Sequence, residues 1–81
     1  MEKDYVLYGT SACHLCEMAE AILGPIIKRY SITFTNEDIL EDDALLQQYA
    51  LSIPVFKCIT TKAELNWPFN EEMLNTFINS Q

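Results

Sequence analysis

Two cysteines and the only histidine of the chain fall within one short stretch, Cys13-His14-Leu15-Cys16. Thiols at this spacing admit three readings: a dithiol that cycles through a disulfide, part of a metal site, or two buried thiols without chemistry. Thiol–disulfide exchange needs one thiolate to attack and a second thiol to release the mixed disulfide. Two intervening residues at a helix start bring both sulfurs within bonding reach. They also place Cys13 in the first turn, where unpaired amides and the positive dipole end favour a thiolate. In such motifs the first thiol's pKa falls from about 8.5 into a range of roughly 3.5–7.5. Cys16, about one turn further in, is expected to be the more buried, resolving thiol. His14 would tune the Cys13 thiolate if protonated and close. Adjacent helical residues diverge by about 100°, so an exposed bystander is the competing expectation.

A metal is the weaker use of the same residues. A structural zinc takes four N/S ligands, usually as two separated pairs. Here one pair exists, His14 is wedged inside it, and Cys58 would have to come from another element. No metal site is expected. Cys58 itself alternates with Lys57 on a strand-like run and reads as a packed thiol, with a regulatory thiol as the weaker alternative.

The elements around the motif must hold it. Tyr5-Val6-Leu7-Tyr8 is a β-rich apolar run stopped by Gly9-Thr10-Ser11. After the cysteines, Leu15, Ala19, Ile22, Leu23, Ile26, Ile27 and Tyr30 recur at steps of three and four, which is one apolar helix face. Pro25 lacks the N–H that this helix would use, so a kink or short break is expected at Gly24-Pro25. Ser31 to Thr35 alternates as a strand should. Asp38 followed by Glu41 resembles a capping box opening a short helix, with Leu45, Leu46 and Tyr49 on its buried face. Ile53 to Ile59 is a second clear strand, Thr60-Thr61-Lys62 its turn, and Ala63 to Asn66 its hairpin partner. Trp67-Pro68-Phe69 reads as a lid on the core, with a docking surface as the alternative. Phe69, Asn70 and Leu74 fit a hydrophobic staple around an Asn cap, with Met73, Leu74, Phe77 and Ile78 as the last helix's apolar face. The order is β-α-β-α-β-β-α. A helix between the first two strands implies a parallel pair made by a right-handed crossover. The short third turn implies an antiparallel hairpin, so the class is α/β with a four-stranded mixed sheet.

Length and charge bound the function. Eighty-one residues make one domain, 1–81, with an apolar fraction of 49%. No apolar run approaches the roughly 18 residues of a membrane span. The charged start, Met1-Glu2-Lys3-Asp4, is unlike a signal peptide, so a cytoplasmic location and no membrane partner are expected. The net charge of −7 argues against nucleic acid, because phosphate binding needs clustered Lys and Arg. The run Glu37, Asp38, Glu41, Asp42, Asp43 is expected to be a solvated acidic helix start, with steering of basic partners as the weaker alternative.

The element order, the Cys13-to-Cys16 motif after the first strand and the Ile53-Pro54 that opens the third strand resemble the thioredoxin fold. The short glutaredoxins match in length, and the resemblance covers essentially the whole chain. The segments YGTSACHLCEMAEAIL, SIPVF and ELNWPF are similar to a group of small bacterial glutaredoxin-like proteins. The resemblance implies a thioredoxin fold of the short glutaredoxin type and a redox-active Cys13-x-x-Cys16 centre. It also implies a cis-proline at Pro54, whose neighbour Ile53 offers backbone to an extended substrate. Tyr8, just before the active loop, either borders that site or belongs to the core.

The departures from the family pattern are as specific. Glutaredoxins commonly carry a lysine three residues before the first cysteine, to hold a glutathione carboxylate; this chain has Thr10. They carry a Gly-Gly pair before the last helix; this chain has only Gly9 and Gly24. The usual Thr-Val-Pro reads Ser52-Ile53-Pro54. Thioredoxins hold a buried aspartate six residues before the first cysteine, where Leu7 stands here. The dipeptide His14-Leu15 also differs from the Pro-Tyr of typical glutaredoxins. No cofactor is implied. Glutathione remains a candidate reductant although its usual binding residues are absent.

The expected function is a thiol–disulfide oxidoreductase that uses Cys13 and Cys16 to reduce protein disulfides or mixed disulfides with low-molecular-weight thiols. A reductase or a thiol would restore the dithiol. The alternatives are a non-catalytic adaptor that keeps the fold for protein contact, and an iron–sulfur cluster shared between two chains through Cys13.

Overall fold

The innermost strand, β1 (Tyr5–Gly9), is buried along its whole length. Successive side chains on a strand point to opposite faces, so β1 feeds two cores at once. Tyr5 and Leu7 belong to one cluster with Ala19, Leu23, Ile26, Phe56 and Leu74. Val6 and Tyr8 belong to the other, with Ile39, Tyr49 and Val55. A strand covered on both faces reads as a continuous apolar run rather than an alternating one. Tyr5-Val6-Leu7-Tyr8 is that run.

The computed structural model describes residues 4–81. After β1 come α1 (His14–Tyr30), β2 (Phe34–Asp38), a single 3-10 turn (Ile39–Glu41), α2 (Asp43–Tyr49), β3 (Val55–Cys58), β4 (Glu64–Asn66) and α3 (Glu71–Asn79). The strands lie in the order β2-β1-β3-β4. β1 and β2 are parallel, whereas β1–β3 and β3–β4 are antiparallel. This is the mixed four-stranded sheet that the element order implies. α1 and α3 supply one core and α2 the other. Ala19, Leu23 and Ile26 are fully buried on the inner face of α1. Each of the two larger side chains is worth about 1.5–3 kcal/mol of burial.

Four local expectations are corrected. First, α1 runs unbroken through Pro25. Leu23 and Ile26, one on each side of the proline, are anchored in the same core, so the missing hydrogen bond does not end the helix. Second, β2 begins at Phe34 rather than Ser31. Ser31 is the left-handed cap of α1 (φ 53°), and the Ile32 amide still donates to the Ile27 carbonyl at 3.1 Å. Third, the cap at Asp38 serves only the 3-10 turn, accepting from the Leu40 amide at 2.9 Å. Asp42 then caps α2 through the amides of Ala44 and Leu45. Fourth, Met73 is exposed, because the buried stripe of α3 is Leu74, Phe77 and Ile78. The staple forms as its residues suggest: Asn70 accepts from the Met73 amide at 2.9 Å, and Phe69 and Leu74 are buried together.

Trp67 packs on the first core and its ring meets Phe69 edge-on. The Trp67–Pro68 peptide is cis, a feature that no residue pattern around it announced.

Candidate functional site

The site is built where β1 hands over to α1. Cys13 is the N-cap residue of α1, in extended conformation (φ −107°, ψ 107°), and its Sγ accepts from the Cys16 amide at 3.1 Å. A sulfur thus occupies the place where Ser, Thr or Asp normally satisfies a free helical amide. Cys16 lies one turn in, and the two are joined as a disulfide with Cα atoms 5.2 Å apart. The exposures differ as the spacing demands: Cys13 is half-buried and Cys16 only 8% exposed. An incoming molecule meets Cys13 first. On reduction, the amides and dipole end of α1 would stabilise a thiolate at that position.

Gly9 decides how closely the strand can approach. A Cβ placed there would stand 2.7 Å from Cys16 Sγ and 3.2 Å from Cys16 Cβ. Only a residue without a side chain lets β1 run against the disulfide. The requirement is contact rather than conformation, since no glycine among the described residues has a positive φ. The β1–β3 register pairs Tyr8 with Val55, so the next level sets Gly9 beside Pro54.

The Ile53–Pro54 peptide is cis. Its loop is fixed from both sides: the amides of Ser52 and Ile53 donate to the Tyr49 carbonyl at 2.9 and 3.2 Å, and the Trp67 amide donates to the Pro54 carbonyl at 3.2 Å. Pro54 is buried and Ile53 half-buried. Tyr49 is held in turn. Its ring stacks on Tyr8 at 4.5 Å, its hydroxyl donates to Glu64 Oε2, and Lys57 Nζ donates to that hydroxyl at 3.5 Å. Burial above all, then the Glu64 carboxylate, pushes the Tyr49 phenol well above its usual range. Burial likewise raises Tyr8, with Glu37, Glu64 and Asp42 adding to it. Tyr8 is therefore a core residue, 7% exposed.

His14 points into water, and its Nδ1 lies 3.6 Å from Glu17 Oε2, a pair whose side chains are 81% and 73% exposed. The bystander expectation describes that geometry better than a direct partnership with Cys13. Cys58 is fully buried beside Tyr5 and Phe56, a free thiol inside the first core.

A cavity of about 370 Å³ opens beside the disulfide, between α1 and the β1–β2 edge. Gly9, Cys13 and Cys16 form its floor, and Glu17, Glu20 and Asp38 line its wall. The sequence reading missed this wall. One signal was available: positions 13, 16, 17 and 20 share a helical stripe, so the two glutamates had to flank the cysteines. Among the described residues, no three His, Cys, Asp or Glu groups are placed to hold a metal ion, and no helix is long and apolar enough to cross a membrane.

Comparison with known proteins agrees with this geometry. The model of the glutaredoxin-like domain (DUF836) matches residues 5–79. The chain belongs to the glutaredoxin-like domain family. Among solved structures, the glutaredoxin-like chain is similar to target protein XcR50 from X. campestris, with 30% identity, a TM-score of 0.81, and 95% of this chain and 97% of that one covered. Protein Ne2328 from Nitrosomonas europaea has the same fold at 23% identity and TM-score 0.81, covering 95% and 92%. Oxidised mitochondrial thioredoxin 3 from Saccharomyces cerevisiae shares the fold at 18% identity and TM-score 0.70, covering 98% and 78%. No curated protein matches the sequence. The thioredoxin fold thus places the Cys13–Cys16 pair of this glutaredoxin-like chain at disulfide distance, at the end of β1.

Proposed function

We propose that the chain is a thiol–disulfide oxidoreductase that reduces protein disulfides and mixed disulfides in the reducing cytoplasm. One observation carries the reading: a half-exposed Cys13 capping a helix is bonded to a buried Cys16 one turn inside it. The reduced protein begins as a dithiol. The Cys13 thiolate attacks one sulfur of the substrate disulfide, and the other sulfur leaves as a thiolate that takes a proton. Cys16 then attacks Cys13 Sγ in the mixed disulfide, and the second substrate thiol leaves. Two electrons pass to the substrate, and the protein ends as the Cys13–Cys16 disulfide. A low-molecular-weight thiol such as glutathione, or a dithiol reductase, returns it to the start. The Ile53–Pro54 loop lies level with Gly9, and the Ile53 carbonyl would accept from an extended substrate segment, the Ile53 amide and the Pro54 carbonyl being bonded within the chain.

Turnover of bis(2-hydroxyethyl) disulfide under a thiol reductant tests this reading. Cys13→Ser is expected to fall to the uncatalysed rate. Cys16→Ser is expected to accumulate a mixed disulfide on Cys13, seen by mass spectrometry. Retention of the rate by Cys13→Ser would contradict the assignment.

A further inference from the structure

The cavity beside the disulfide carries a choice of substrate. It opens directly onto Cys13 and Cys16, so whatever flanks a disulfide presented to Cys13 meets its wall. That wall holds three carboxylates, Glu17, Glu20 and Asp38, together with the neutral Thr10, Ser11 and Asn36. Among the described residues, no lysine or arginine lines it.

The other described residues do not supply the missing cation. Lys28 and Arg29 are in the last turn of α1. Twelve residues separate Cys16 from Lys28, about 18 Å along a helix, and Arg29 is bonded to Asn75. Lys62 sits in the β3–β4 turn, past the end of β3 away from Pro54. Lys57 Nζ is engaged by Glu64 at 3.8 Å and by Tyr49. His14, the one imidazole near the cavity, already faces Glu17. The parallel register sets Asp38 level with Gly9, which is what brings this carboxylate to the disulfide end, whereas Glu37 beside Tyr8 turns to the other face of the sheet. The described charges are therefore segregated, with carboxylates around the disulfide and cations elsewhere.

On the reading of the chain as a disulfide reductase, we infer that its preferred substrates are peptide segments in which lysine or arginine flanks the disulfide-bonded cysteine. A cleft lined by one sign of charge concentrates ligands of the other sign and raises their association rates by about 10–10³-fold. The cavity's size suits one or two side chains beside the reacting sulfur. Glutathione disulfide, which carries net negative charge at neutral pH, meets repulsion there. The exchange chemistry is unchanged: the segment's sulfur joins Cys13, Cys16 displaces it, and the peptide leaves as a free thiol.

The test uses two peptides that differ only in lysine or glutamate beside the cysteine, each as its mixed disulfide with 2-mercaptoethanol. The full chain is reduced, freed of reductant and mixed with each, and its oxidation is timed by alkylation. Bis(2-hydroxyethyl) disulfide is the neutral reference, and cystamine the small dication. The lysine peptide is expected to react about tenfold or more faster than the glutamate peptide at low salt. That ratio should shrink towards about twofold near 0.5 M salt, where screening is strong. The double variant Glu17→Gln/Glu20→Gln should lose most of the low-salt preference, and the salt dependence of the unaltered chain reports independently of that variant's folding. Equal peptide rates, a preference indifferent to salt, or a preference unchanged in the double variant would overturn the inference. Cystamine matching the lysine peptide in rate and salt dependence would overturn the peptide assignment in favour of a small cationic disulfide. Failure to react with the neutral disulfide would instead remove the underlying reductase reading, and the inference with it.

Discussion

Cys13 and Cys58 have the same side chain and opposite fates. Cys58 lies on β3 with no exposed surface, enclosed by the first core. Cys13 caps a helix, accepts a backbone amide, stands half-exposed and has a second cysteine one turn away. Thiol reactivity follows thiolate character and access, and each is set by the element that carries the residue. The comparison teaches that position, more than residue type, divides chemistry from packing in this chain.

The sharpest way to break that contrast is alkylation of the native, reduced protein. Cys13 is expected to react at least about a thousandfold faster than Cys58, which becomes available only through unfolding, because the native fraction unfolded is of the order of 10⁻³ or less. Comparable labelling of the two sites in native buffer would mean that Cys58 is not the sealed core thiol described above.

A smaller effect is expected at Gly9, where β1 touches the motif. Gly9→Ala sets a methyl against Cys16 Sγ and should cost about 1–3 kcal/mol, the usual range for overpacking. The loss should be greater in the oxidised protein, where the disulfide holds the sulfur in place, than in the reduced one. Urea titration of both redox forms measures it; equal and negligible losses would show that the strand yields without effort.

His14 should matter least. It is exposed and faces Glu17 rather than the disulfide. His14→Ala is expected to change the rate of Cys13 alkylation at pH 7 by less than about threefold, the scale of a weak exposed charge interaction. A tenfold fall would assign His14 the thiolate-tuning role that its position in the motif suggests.

Much of this was legible in the residues, for identifiable reasons. Strong periodicity made α1 and β3 readable, and a cap with its staple made the start of α3 readable. The parallel β1–β2 pair and the β3–β4 hairpin followed from the element order, whereas the place of β3 beside β1 did not. β2 was read three residues early because an exposed edge strand, Phe34 to Asp38, has little apolar alternation to mark it. The helix start at Asp38 was read as one cap because two aspartates cap in series, each spanning a different turn. At the site, the cysteines and Pro54 announce themselves by type and spacing. Gly9 reads as a mere strand stop until the Cys16 sulfur is seen against it. The acidic wall is assembled from Glu17 and Glu20 near the start of α1 and Asp38 at the end of β2, residues 18 or more positions apart, and only the parallel register brings Asp38 to the glutamates.

Everything proposed for this site depends on Cys13 and Cys16 forming a reversible redox pair. An equilibrium titration in glutathione buffers, with alkylation and mass spectrometry reading each cysteine, tests it most directly. One Cys13–Cys16 disulfide is expected to titrate between about −200 and −270 mV, the glutaredoxin-to-thioredoxin range, with Cys58 reduced throughout. A chain in which no such disulfide forms across that range would contradict it.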